Sequence, residues 1–166
     1  DLINLETIVL TGSRLRFLNL GADTQIEWGD PGVVGEYNNY GYAFWNLTYA
    51  DLSDNILLTK VQLPSPTDVY ATAQKKHLRY VNVNGTALGE SGINREDAPG
   101  FDAFFSQSAF INPEGYPVGH VLEVSARNIR DLNGNRVTLS VEKYNEITNL
   151  WNGSERFIVL DVDIDK

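Results

Sequence analysis

Residues 120–144, HVLEVSARNIRDLNGNRVTLSVEKY, carry the strongest local signal in the chain. The pair Asn133-Gly134 sits between two alternating runs. Leu122, Val124 and Ala126 oppose Val121, Glu123 and Ser125, and Val137, Leu139 and Val141 line one face of the return segment. Asn-Gly supplies the positive-φ positions of a tight two-residue turn. The stretch therefore predicts two antiparallel strands, His120–Ile129 and Arg136–Tyr144, joined by a hairpin.

Working outward, the same signature recurs as short runs of β-branched and aromatic residues punctuated by Gly, Asn, Asp and Pro. The runs are Leu2–Leu10, Arg14–Leu20, Gln25–Trp28, Tyr42–Tyr49, Ile56–Leu63, Arg79–Val83 and Arg156–Lys166. The stretches Gly29–Gly41 and Gly85–Gly100 read as loops. After Pro64 and Pro66, Val69, Tyr70, Ala73 and His77 fall on one side at helical spacing, which predicts one short helix over Thr67–Leu78. Eight or nine strands with a single helix predict an all-β fold, a two-sheet sandwich or jelly roll, in one domain spanning 1–166 and without internal repeats.

Composition narrows the function. With 166 residues, 42% of them apolar, the chain is long enough to bury a core. Its net charge of −9 repels phosphate backbones and anionic lipid, which argues against nucleic acid, and no apolar run reaches the ~18 residues that span a bilayer. Cysteine is absent, which excludes disulfides and thiolate metal sites, and methionine is absent even at position 1, which predicts a secreted chain released from a signal peptide.

Catalytic signatures are weak. The two histidines, His77 and His120, are far apart in sequence, and no nucleophile elbow, zinc helix, phosphate loop or dinucleotide fingerprint accompanies them, so the expectation is a protein that is not an enzyme. Two places fit calcium. Asp131, Asn133 and Asn135 alternate as in a calcium loop, with Glu142 as a closing ligand, although Arg136 stands where that loop needs glycine. A tight turn explains the same residues. Asp161, Asp163 and Asp165 recur at strand period, about 7 Å apart on one side, and such a row needs solvent or a cation; a charged edge strand is the alternative. Asn46, Asn84 and Asn152 begin glycosylation sequons. The aromatic residues Trp28, Tyr37, Tyr40, Tyr42, Trp45 and Trp151 suit either a sugar-stacking platform or a sandwich core.

Leu2–Leu10 is apolar on both faces and is followed by Gly12 as a hinge. It can pair within its own domain, or residues 1–11 can complete the sheet of a neighbouring subunit as a donated strand. Donation would use Ile3, Leu5, Ile8 and Leu10 as interface residues, and a head-to-tail contact of that kind generates a filament of identical copies.

The segment from Asn39 to Gly89 bears on that choice. Gly41-Tyr42-Ala43 enters an aromatic strand, and a later strand leads into Thr86-Ala87-Leu88-Gly89. This order resembles the subunits of archaeal cannulae. The resemblance implies a jelly-roll subunit polymerised by donor-strand complementation with calcium assistance, a plan shared by biofilm matrix fibres of the TasA and camelysin type and by archaeal bundling pili. Leu122–Asn135 is similar to the closing strand of bacterial Ig-like surface domains, which implies a module of a larger surface protein. The leading expectation is an extracellular structural subunit of a filament, pilus or tubule. The alternative is a carbohydrate-binding or adhesive β-sandwich with glycan partners.

Overall fold

The computed structural model describes residues 4–20, 46–66, 76–91 and 100–165. Within them the chain is a mixed α/β solenoid, which overturns the predicted all-β sandwich. Its main sheet is built from β1 (Thr7–Val9), β3 (Tyr49–Asp51), β5 (Tyr80–Asn82), β6 (Val121–Ala126) and β7 (Phe157–Val162), in that spatial order with every neighbouring pair parallel. A second, two-stranded parallel sheet pairs β2 (Phe17–Asn19) with β4 (Lys60–Gln62). The helices are α1 (Phe101–Phe105), α2 (Ser108–Ile111) and α3 (Val141–Asn152).

The order of the return elements repeats the order of the strands. β2 follows β1 and β4 follows β3, α1 and α2 follow β5, and α3 follows β6. In space α1 packs on β4, α2 on α3, and α3 on β7. Among the described residues, each of β1, β3, β5 and β6 is thus followed by an element of the second layer before the next sheet strand.

The sequence does repeat, contrary to the expectation above, and the sheet register shows how. Three coils share one spacing: Leu5, Ile8, Leu10, Ser13, Leu15; Leu47, Ala50, Leu52, Asn55, Leu57; Leu78, Val81, Val83, Thr86, Leu88. Ile8, Ala50, Val81, Val124 and Leu160 form one row across the sheet. The shared spacing puts apolar residues at the first, fourth, sixth and eleventh places and Ser13, Asn55 or Thr86 at the ninth, a short repeat of the kind whose coils stack. The physical reason is the corner that follows each strand. Gly12, Asp54, Gly85 and Asn128 occupy the same place in successive coils, and all are left-handed, with φ of 60°, 60°, 70° and 54°. Gly, Asn and Asp are the residues that adopt this conformation at least cost. At Gly85 a Cβ would also stand 2.8 Å from the Asp54 carboxylate.

Asn55 joins the first two coils. It is fully buried. Its Nδ2 donates to the carbonyls of Leu10 (2.5 Å) and Leu52 (2.8 Å), and its Oδ1 accepts from the backbone N–H (2.9 Å) and the hydroxyl of Ser13. One coil on, the buried Thr86 hydroxyl donates to the Val83 carbonyl at 2.8 Å. The core between the layers takes Leu52, Leu58, Val81, Leu122, Phe105, Phe110, Ile147 and Trp151. Gln107 manages the change from strand to helix in the second layer: its Oε1 accepts from Leu63 N–H (2.7 Å) and its Nε2 donates to Val61 O (3.2 Å), so one side-chain amide satisfies the outer edge of β4.

The predicted hairpin is corrected. Its turn is present, with Asp131 N–H donating to Asn135 O and a single antiparallel bridge between Arg130 and Arg136. The following residues do not return as a strand beside β6. Ser140 instead caps α3 by accepting from Lys143 N–H, and Tyr144, Ile147 and Trp151 supply its inner face. The helix predicted over Thr67–Leu78 lies largely outside the described residues, and Lys76–Leu78 are not helical. Among the described residues, no helix is long and apolar enough to cross a membrane.

Replacing Asn55 with Ala should strand the buried Leu52 carbonyl together with the half-buried Leu10 carbonyl and Ser13 N–H, at about 1–3 kcal/mol for each unsatisfied group. The expected outcome is a stability loss of about 3–5 kcal/mol in urea unfolding with an unchanged slope. A loss below about 1 kcal/mol would show that the coil contact does not depend on this amide.

Candidate functional site

Side chains alternate across a strand, so the row that fills the core is flanked by rows on the open face of the sheet. One open row reads Thr7, Tyr49, Tyr80, Glu123, Val159, and the next reads Val9, Asp51, Asn82, Ser125, Asp161. Val121 and Phe157 stand opposite each other at the start of β6 and β7. Tyr49 and Tyr80 are stacked with ring centres 4.6 Å apart and planes 13° from parallel. Loss of solvent, followed by the nearby Tyr49, Asp51 and Glu123, pushes the Tyr80 hydroxyl above its ordinary range. Beside this phenol and carboxylate group lies apolar surface. Val121, Phe157 and Val159 are 42%, 53% and 53% exposed.

At and beyond the C-terminal ends of the strands, polar side chains bind one another and the backbone, within a coil and between coils. Asp51 Oδ1 accepts from the Ser53 N–H and hydroxyl, and Asn84 Oδ1 accepts from Arg127 N–H (2.7 Å) and the Ser125 hydroxyl (3.0 Å). The aspartate row singled out in the sequence belongs to this system. Arg127 pairs with Asp161 and with Asp163 at 3.1 Å, Arg136 pairs with Asp163 at 2.8 Å, and Asn128 N–H donates to Asp163 at 2.9 Å. The side chain of Asp163 is only 13% exposed, and the Arg136 hydrogen bond holds its carboxyl below the usual range. Asp165 accepts from the Thr138 hydroxyl. Guanidinium groups thus supply the positive charge that such a row requires.

Asp131 is used in the same inward way. Its Oδ1 accepts from the N–H groups of Asn133 (2.9 Å) and Asn135 (2.8 Å), and its Oδ2 from the Asn135 side chain (3.0 Å), which lowers its pKa. Glu142 lies in the first turn of α3. Among the described residues there is no group of three or more His, Cys, Asp or Glu arranged to hold a metal ion.

The remaining sequence candidates are dispersed. Ile3 and the aromatics Trp28, Tyr37, Tyr40, Tyr42 and Trp45 lie outside the described residues. Trp151 is core, its Nε1 donating to Phe110 O at 2.7 Å. Leu5 packs against the core, Ile8 is buried opposite Ala50, and Leu10 is exposed. Asn46 accepts from Lys76 N–H, Asn84 is bound as above, and Asn152 is exposed at the end of α3.

The structure brings together two residues the sequence kept apart. His77 and His120 are 6.0 Å apart between ring centres, and Tyr116 stacks on His120 at 4.7 Å. The Tyr116 hydroxyl donates to Ala109 O, and His120 Nε2 lies 2.7 Å from Leu78 O, so both polar tips hold backbone. Open-face residues such as Tyr80 and Glu123 were missed as a site because they lie on different coils; the repeated spacing was the signal that could have aligned them.

Comparison with known protein families, with curated proteins and with solved structures found no match.

Two outcomes follow from the electrostatics. Burial depresses the His120 pKa, so the unfolded chain binds more protons than the folded one as pH falls through about 6.5. The contribution is complete above that pH and is lost below it, toward the lower folded pKa. Urea midpoints should therefore drop between pH 7.5 and pH 5.5, and the drop should shrink in His120→Phe; equal drops would exclude His120. The depressed Asp163 and Asp131 act in a separate window, stabilising above their ordinary pKa and losing that contribution as pH falls further. Because Arg127 and Arg136 hold Asp161 and Asp163, a calcium chelator should leave the melting temperature of the wild type unchanged. A chelator-induced fall would place a metal among these carboxylates.

Proposed function

We propose that the chain is a binding module of the cell exterior, not an enzyme, and that it recognises its partner with the open face of the parallel sheet. One observation carries this reading. The face collects a stacked tyrosine pair, two carboxylates, Asp51 and Glu123, with no ion pair among the described residues, and exposed Val121, Phe157 and Val159 from separate coils. Solenoids use such extended faces for binding, and an aromatic and apolar cluster on an otherwise polar surface is the composition of an interaction site.

The pairing of β1 favours this module over a filament subunit. Thr7–Val9 lies beside Tyr49–Asp51 of the same chain, and Leu10 and Ser13 are bound by Asn55. Deleting residues 1–11 should therefore lower the melting temperature. A donated strand predicts a truncated protein as stable as the full chain but unable to polymerise.

Binding itself is tested by selecting a displayed random-peptide library and screening a glycan array on the immobilised chain, with Tyr49→Ser/Phe157→Ser as the comparison. Ligands that bind the wild type and are lost on the variant, at unchanged circular dichroism, are expected. Ligands indifferent to the variant, or none at all, would overturn the reading.

A further inference from the structure

Resting on that reading, we infer that the partner of the open face is a basic polypeptide segment in which an arginine stands beside an apolar side chain. The row Tyr49, Tyr80, Glu123, Val159 runs across four adjacent strands, each about 4.8 Å from the next. Its middle is rich in hydrogen-bond acceptors. Glu123 and Asp51 flank the tyrosines closely enough to raise the Tyr80 pKa, and neither carboxylate forms an ion pair among the described residues. Asp161, the next carboxylate along the face, already has Arg127. On this face Glu123, and Asp51 through the oxygen that Ser53 does not use, are therefore the charges left for a partner to neutralise.

The chemistry narrows the partner further. A guanidinium donates to a carboxylate in a fork and lies flat on aromatic surface, and Glu123 beside Tyr80 offers both. A neutral sugar ring is a poorer fit, because it leaves the Glu123 and Asp51 carboxylates without a counter-charge. Phosphate groups are repelled by the same carboxylates. Toward β7 the row ends in apolar surface at Val159 and Phe157, which removes an apolar neighbour of the arginine from water. The chain's charge of −9 adds long-range attraction for a basic partner.

The test uses three fluorescein-labelled peptides of equal length, alternating Leu with Arg, Glu or Ser, titrated against the full chain by fluorescence anisotropy. The Arg peptide should bind about tenfold more tightly than the Ser peptide, and the Glu peptide more weakly than either. Glu123→Gln should weaken the Arg peptide about threefold or more and leave the Ser peptide unchanged. Raising salt should weaken only the Arg peptide. Arg binding that ignores both Glu123→Gln and Phe157→Ser would be attraction to net charge alone and would overturn the inference. If the Ser peptide binds as well as the Arg peptide and both are lost in Phe157→Ser, the face binds but its partner is not basic. If no peptide responds to Phe157→Ser, the inference falls, and the library and array selection decides the face separately.

Discussion

Parallel strands cannot be joined by a tight turn, so every strand of this sheet commits the chain to a long return path and a second corner. The corner after the strand is the point of greatest constraint. It bends the backbone through a left-handed residue at Gly12, Asp54, Gly85 and Asn128, and it leaves backbone groups near the corner that need partners, the buried Leu52 carbonyl among them. Asn55 answers that problem for the first two coils by bonding Leu10, Leu52 and Ser13 at once. The ladder carries on past the strand ends: Gly12 N–H donates to Ser53 O, Asp54 N–H to Asn84 O, and Gly85 N–H to Arg127 O. Each corner is therefore seated on the corner of the next coil, and a fault in one reaches its neighbour.

This arrangement determines what the open face can be. Inner residues are selected for volume and repeat as Ile, Ala, Val, Val and Leu along one row. The outer rows carry no such demand, so Tyr49, Asp51, Tyr80, Glu123 and Phe157 are free to be chosen for recognition. They are also held in a fixed register by backbone bonds, which lowers the entropy cost of presenting them together. The polar network of Arg127, Asp161, Asp163 and Arg136 lies at the end of β6 and β7 and stiffens the rim of the same face.

Much of the local structure was legible in the sequence. The runs Leu2–Leu10, Arg14–Leu20, Ile56–Leu63, Arg79–Val83, His120–Ile129 and Arg156–Lys166 each contain an observed strand. The fold class was not, because alternation reports that a strand is half-buried and says nothing of its neighbour's direction. The Asn133-Gly134 turn misled for a related reason: a reverse turn reads the same whether a strand or a helix follows it. In Arg136–Tyr144 the cap at Ser140 and the helical spacing of Tyr144, Ile147 and Trp151 competed with period-two alternation, and packing of Ile147 and Trp151 into the core decided the outcome. The repeat was visible in Leu47, Leu52, Asn55 and Leu78, Val83, Thr86, but unequal return paths hide it from a search at fixed period. The site followed the fold. Tyr49 and Tyr80 become neighbours only once their strands are known to be adjacent and parallel.

The change of return element along the solenoid has a consequence for the face. Strands in a sheet lie about 4.8 Å apart, whereas packed helices need about 8–10 Å. In the first two coils the described elements of both layers are three-residue strands, β1 with β3 and β2 with β4. From β5 onward the second layer is α1, α2 and α3, and Gln107 closes the edge of β4 at the changeover. A layer of packed helices therefore takes more width than the strands it covers. The helical layer follows β5 and β6 in the chain, and α3 packs on β7; these strands carry Tyr80, Glu123, Val159 and Phe157. Packing on the covered side therefore fixes the strands that present the acceptors and the apolar surface, which a basic, partly apolar segment would have to meet at the same time.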